Sequence, residues 1–180
     1  MASGNDHDRA TMFASLPFAL VLLPLLGIQA AILGAATFLI GGLWLSPDLD
    51  TRSRPLQRWG PLRLIWWPYR HLIPHRSLFS HGPLIGMSLR LLWLFCVMAL
   101  AWAALSSLPM LQLPPLQMLS AALANSVSTQ PQMVLVALIG LEGSVWLHLI
   151  LDGDPLPAEW HRLRRRQAHH SDRSRAHRKQ

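Results

Sequence analysis

The chain has 180 residues, of which 51% are hydrophobic and only 14% charged, with a formal net charge of +7. A soluble globular chain carries about 25% charged residues, and here the charges fall in islands between long uncharged stretches. That distribution excludes a soluble enzyme, a disordered tail protein and a coiled coil, and indicates a polytopic, all-α integral membrane protein.

The first eight residues carry Asp6 and Asp8 in place of a basic n-region, so no cleaved signal peptide is expected. The apolar stretch from Met12 to Ser46 is too long for one crossing at about 20 residues. Pro17, Pro24 and Gly27 interrupt it, which predicts two short antiparallel helices near 9–26 and 28–46. The Arg-rich segment 47–82 follows as a loop. A third helix is expected over Leu84–Leu108, with Arg90 as its only charge, and the uncharged segment 109–131 as the next loop. The fourth helix runs from about Gln132 to Leu151 and contains Glu142 and His148. Neither a sequence repeat nor a β pattern is present.

Four crossings place both termini on one side. Of sixteen Lys and Arg, six lie between Arg52 and Arg76 and eight between Arg162 and Lys179. The positive-inside rule therefore makes the termini and segment 47–82 cytoplasmic, with 109–131 facing out. Basic residues that flank apolar spans are explained by topology and anionic lipid, so nucleic acid is not an expected partner. Trp44, Trp59, Trp66, Trp67, Tyr69 and Trp160 fall near the cytoplasmic side, as an aromatic belt or as buried packing. Gly82-x3-Gly86 and the series Gly34, Gly41, Gly42 suit close helix approach. Cys96 is the only cysteine, which excludes a disulfide framework and a thiolate metal site.

The acids and histidines outside the tail form four groups. His7 and Asp8 precede helix one, Asp48 and Asp50 close helix two, His75 and His81 precede helix three, and His148 and Asp152 end helix four. Counting crossings, all four groups meet at the cytoplasmic face. Taken singly, the pairs have ordinary readings as a helix cap, a solvated turn or interfacial histidines. Together they suit a metal. His148 and Asp152 are i and i+4 and share one helix face, and imidazole with carboxylate is the ligand set of zinc, manganese or iron. The number of donors suffices for one or two ions, and Asp48 or Asp50 would bridge or orient a histidine from behind. Arg76 is placed to hold a phosphate bidentately or to act as a positive-inside anchor. Arg90 either snorkels or reaches toward the site. Glu142 is read as a protonated or interhelically bonded residue rather than a ligand, and His71 as an interface residue.

These residues resemble a family of metal-binding membrane proteins common in cyanobacteria. The likeness is carried by Ser3-Gly4-x-x-His7-Asp8-Arg9, Gly42-x4-Pro47-Asp48-Leu49-Asp50, Arg58-Trp59-Gly60-Pro61-Leu62-Arg63 and Trp66-x-Pro68-Tyr69-Arg70. His75-Arg76-Ser77-x-x-Ser80-His81-Gly82-Pro83 and His148-x3-Asp152 complete it. That family is similar to the YdjM-type membrane-bound metal-dependent hydrolases and, more distantly, to zinc-dependent phospholipase C. The resemblance implies His7, Asp48, His75, His81, His148 and Asp152 as metal ligands, with Asp8 and Asp50 supporting.

The expectation is a membrane-bound metal-dependent hydrolase, with a lipid phosphoester as one candidate substrate. Asp50 or Asp8 would accept the proton and Arg76 would stabilise developing charge. The other reading is a non-enzymatic protein that binds metal for storage, sensing or assembly; a transporter ranks last, because the outer halves of the helices lack polar residues. Residues 1–160 are expected to form the membrane-embedded domain of a bacterial inner membrane or thylakoid protein. Residues 161–180 read as a basic, disordered cytoplasmic tail whose arginines, behind Trp160 and His161, lie on anionic headgroups.

Overall fold

The computed structural model describes residues 3–108 and 113–153, and among these every regular element is helical. The elements are α1 (Gly4–Leu43), α2 (Arg54–Arg58), α3 (Trp67–Leu72), α4 (Leu78–His81), α5 (Ile85–Ser106), α6 (Leu116–Thr129) and α7 (Pro131–Leu151). Two 3-10 turns, Pro47–Asp50 and Gly60–Trp66, stand between α1 and α3. α1, α5 and α7 are long and apolar enough to cross a membrane. Trp160 and the tail 161–180 lie outside the described residues.

α1 begins earlier than the sequence pattern suggests. Ser3 and Asp6 form a capping box, in which the Ser3 hydroxyl accepts from the Asp6 amide and the Asp6 carboxylate takes the Ser3 amide at 2.9 Å. His7 and Asp8 thus sit within the first turns of the helix, not ahead of it. Pro17 and Pro24 remain inside the helix. The break comes at Gly27, whose φ of 83° and ψ of 177° suit glycine alone. There the chain folds back: the Phe18 and Phe38 rings approach at 5.2 Å, and Gly42 lies against Thr11. The expected pair of antiparallel helices is therefore present as the two arms 4–26 and 28–43, the second ending three residues short of 46.

α7 packs against the second arm. A methyl group on Gly41 would collide with Ser144 and the Leu141 backbone, and one on Gly140 with Thr37 and the Gly34 carbonyl. Small residues let the two backbones approach, which is how helices associate where lipid removes the hydrophobic drive. Gly82 and Gly86 serve a more local purpose, seating α4 against the start of α5 through the Leu78 and Ser80 carbonyls.

The buried core lies at one end of the bundle. It gathers Leu45, Leu49, Leu56, Trp66, Tyr69, Met87, Leu141, Val145 and Leu149. The segment expected as a loop over 47–82 is instead a cap of short helices wedged between the helix ends. Trp66 and Tyr69 are packing residues, edge-on at 5.4 Å, whereas Trp67 and Trp44 are exposed. Away from this cap the helices present Phe13, Leu16, Leu20, Phe95, Leu100 and Leu138 outward, a surface suited to lipid. The expected loop 109–131 is corrected in part: α6 occupies Leu116–Thr129, with none of its residues buried. Alanine, leucine and glutamine favour helix there, and hydropathy alone did not mark it.

Candidate metal centre

The site is assembled from four chain segments at the capped end. α1 brings His7 one turn beyond its capping box. The turn Pro47–Asp50, capped by Ser46 and held by bonds from Thr51 and Ser53 to the Asp48 carbonyl, brings both aspartates. α4, with its own capping box between Ser77 and Ser80, brings His81. The C-terminal turn of α7 brings His148, and Asp152 caps it.

The side chains form an alternating ladder. His7 Nε2 lies 3.2 Å from Asp152 Oδ1, and Asp152 Oδ2 lies 3.5 Å from His148 Nε2. His148 Nε2 is 3.6 Å and His81 Nε2 is 3.8 Å from the same oxygen, Asp48 Oδ1. On its other side His81 Nδ1 is 3.6 Å from Asp50 Oδ2, and Asp50 Oδ1 is 2.9 Å from His75 Nδ1. Three overlapping triads are close enough to hold an ion: His7, His148 and Asp152; Asp48, His81 and His148; Asp50, His75 and His81.

The Ser80 hydroxyl donates to the Pro74 and Ser77 carbonyls at 3.1 and 3.3 Å. When Ser80 gives its one proton to either carbonyl, its Oγ accepts from His81 Nδ1–H at 2.9 Å. In that tautomer a neutral His81 presents the lone pair of Nε2 to the Asp48 carboxylate. Both His81 Nε2 and His148 Nε2 are buried without a hydrogen-bond partner. A lone pair of His81 Nε2 facing that carboxylate oxygen is repelled by it unless a cation lies between them.

The donor set fits a divalent ion. Donors about 2.0–2.2 Å from a tetrahedral ion are about 3.4 Å from one another, close to the 3.5–3.8 Å found around Asp48 and His148. Asp48 and Asp152 supply carboxylates beside the imidazoles, and Ser46 Oγ approaches His148 Nδ1 at 3.5 Å from behind. All donors are nitrogen or oxygen; Cys96 is exposed on α5.

Of the residues predicted for metal binding, His7, Asp48, His75, His81, His148 and Asp152 all stand in this ladder. His75 is at its outer end, with 44% of its side chain exposed. Asp50 belongs to the ladder too, its carboxylate wholly buried between His75 and His81. Asp8 is placed elsewhere: Arg58 and Arg54 both pair with its Oδ2, Arg54 at 3.3 Å. Arg58 also donates to the Leu43 carbonyl at 2.9 Å, so it ties the two arms of α1 together. Arg76 sits in the turn before α4 at a φ of 58°, and among the described residues it has no ion pair.

Arg90 neither snorkels nor touches the ladder. It is completely buried and donates to the Ser80 carbonyl at 2.8 Å, beside His81, with Tyr69, Glu142 and Asp50 as its electrostatic neighbours. Burial pushes the Tyr69 phenol up, and the Arg90 charge opposes that shift. Glu142 accepts the Leu84 amide at 2.7 Å at the start of α5, where Leu84 has a φ of 63°. The interhelical reading of Glu142 thus describes its contact.

Sequence reasoning missed Ser46 and Ser80, although Ser80 lies beside a ligand histidine at capping-box spacing from Ser77. It also missed a cleft of about 340 Å³ beside the ladder, lined by His7, Asp48, Arg52 and Arg54 among others.

Comparison with known proteins agrees with this geometry. The family described as "Uncharacterized metal-binding protein (DUF2227)" matches residues 2–164. An uncharacterized protein of Aquifex aeolicus (strain VF5) is 40% identical over 58 residues, covering 32% of this chain and 40% of that protein. This chain therefore matches less than half the length of that relative. No solved structure matches.

Proposed function

We propose that this chain, which belongs to the uncharacterized metal-binding protein family DUF2227, is a membrane-embedded metal-dependent hydrolase acting on phosphoesters at the cytoplasmic face. The observation that carries this reading is the juxtaposition of a ladder of metal donors with a cleft. A storage site encloses its ion, whereas catalysis needs one side of the coordination sphere open. Here His7 and Asp48 are both members of the donor triads and wall residues of the cleft.

In this reading Asp48, His81 and His148 hold the ion, with Asp152 and His7 completing one side. Zinc suits a nitrogen and oxygen set of this size, and manganese or iron are the alternatives. The ion supplies Lewis acidity toward a phosphoryl oxygen. Asp50, enclosed by two imidazoles, orients His81 and His75 rather than exchanging protons with solvent. Asp8 lines the cleft but is held between Arg54 and Arg58, so its part is to fix those arginines beside the site.

The arms of α1 together with α5 and α7 make four crossings, and the arginines of segment 47–82 put the site and both termini in the cytoplasm. The exposed apolar surface of the helices supports this arrangement. The membrane is the inner membrane or thylakoid, and its lipids are the surrounding partner.

The ladder also favours a second reading. Its seven side chains suffice to fill the coordination sphere of an ion without water, as in a sensing or storage protein. Elemental mass spectrometry on the detergent-purified full chain separates the cases when paired with turnover. One or two metal equivalents, lost in His148→Ala/Asp152→Ala, with metal-dependent release of phosphate from a phosphoester series, supports the hydrolase. Full metal content without turnover supports the second reading, and no metal after adding back zinc, manganese and iron overturns both.

A further inference from the structure

The cleft beside the ladder has a charge pattern that the metal does not account for. Arg52 and Ser53 enter it from the segment just before α2, and Arg54 and Gln57 from α2 itself. Arg54 is half exposed and gives only Nε to Asp8, leaving its two terminal amino groups. Arg52 is exposed and has no ion pair among the described residues. Asp8, the nearest carboxylate besides Asp48, is shared with Arg58, so it neutralises the wall only in part. With a divalent ion among the donors, the cleft carries a net positive field, focused by low-dielectric walls.

We propose that this cleft binds a phosphate group, with Arg52 and Arg54 contacting its oxygens and the His7–Asp48 wall setting it against the metal donors. One guanidinium satisfies the two oxygens of a carboxylate. Two guanidiniums with the Gln57 amide match the larger number of acceptors on a tetrahedral phosphate. The proposal replaces Arg76 with Arg52 and Arg54 as the phosphate-binding residues. It deepens the hydrolase reading and rests on it for the role of the metal, while phosphate binding is measurable without turnover.

The phosphate arrives either free or as a lipid headgroup, and exposed Leu62, Leu64 and Trp67 on the adjoining cap segment put the cleft within reach of the bilayer surface. The test uses the full chain loaded with zinc in phosphatidylcholine nanodiscs. Inorganic phosphate is titrated calorimetrically, and nanodiscs containing dioleoyl phosphatidic acid form the second arm. Wild type is expected to bind in at least one arm. Arg52→Gln/Arg54→Gln should weaken that binding at least tenfold with zinc content unchanged. Arg52→Gln alone, which breaks no ion pair, should weaken it several-fold, and Arg76→Gln should match wild type.

Binding only in the second arm assigns the phosphate to lipid. Wild type that binds in neither arm, or a double variant that binds as wild type does, overturns the proposal, as does loss confined to Arg76→Gln. Phosphate binding that depends on Arg52, in a zinc-loaded protein without phosphoester turnover, leaves the cleft assignment standing and removes the hydrolase reading.

Discussion

The imidazole of His7 stacks on that of His148, with ring centroids 4.1 Å apart and planes at 24°. One ring stands at the start of α1 and the other at the end of α7, so their contact reports that these two helix ends are in register. The stack is bracketed by Asp152, whose two oxygens face the two Nε2 atoms. Two charged imidazoles would repel at this distance, whereas two neutral ones offer lone pairs to a shared ion.

The two histidines are not equivalent. His148 Nε2 faces both Asp48 and Asp152, and His7 Nε2 faces Asp152 alone. His148→Ala is expected to weaken metal binding by more than about 100-fold, beyond the range for supporting residues. His7→Ala should cost about 10–100-fold. Competition with a chromogenic chelator measures both, and equal losses would place His7 in the central triad.

Asp50 contacts the metal ligands from behind. Asp50→Asn removes the charge that fixes His75 and His81 while keeping the shape. Metal affinity should fall about 10–100-fold while helical circular dichroism is retained. An unchanged affinity would leave orientation of His81 to Ser80 alone.

Arg90 is a buried cation that donates to the Ser80 carbonyl and places its charge near Tyr69, Glu142 and Asp50. Arg90→Met is expected to lower stability by about 1–3 kcal/mol, the usual cost of leaving a buried acceptor without its donor. Thermal unfolding in detergent reads this. Adding Glu142→Gln to the same chain should recover part of the loss, and no recovery would show that Glu142 and Arg90 are uncoupled.

Two glycines separate folding from siting. Gly27→Ala meets no atom within 4 Å and costs only its left-handed backbone, about 1–3 kcal/mol. Gly41→Leu drives α7 from the second arm of α1 and costs about 1–3 kcal/mol by overpacking. Since Asp48 follows that arm and His148 follows Leu141 and Ser144 on α7, only Gly41→Leu should also weaken metal binding. Chelator competition on both variants in detergent decides this, and a metal loss in Gly27→Ala would link the reversal to the site.

The donor residues were legible because counting the expected crossings grouped them together, and the structure brings them to one end of the bundle. The helix reversal was legible because Gly27 interrupts an apolar run too long for one crossing. The start of α1 was misread because hydropathy cannot see the Ser3–Asp6 capping box. The helices within 47–82 and the helix α6 escaped because short or weakly patterned segments leave no clear periodicity.

By itself the sequence determined the class of the protein and the chemistry of its site. Apolar length marked the long helices, arginine placement gave an expected orientation, and four histidines with four aspartates gave a nitrogen and oxygen donor set. Tertiary structure decided which atom each donor presents and what each charge opposes. Ser80 Oγ meets His81 Nδ1 at 2.9 Å, Asp8 is drawn away to Arg54 and Arg58, and Arg52 and Arg54 rather than Arg76 line the cleft. Composition and spacing record which groups are available along the chain. The partner that takes a proton or balances a charge is set by distances of 3–4 Å between segments up to 145 residues apart, and only packing sets those distances.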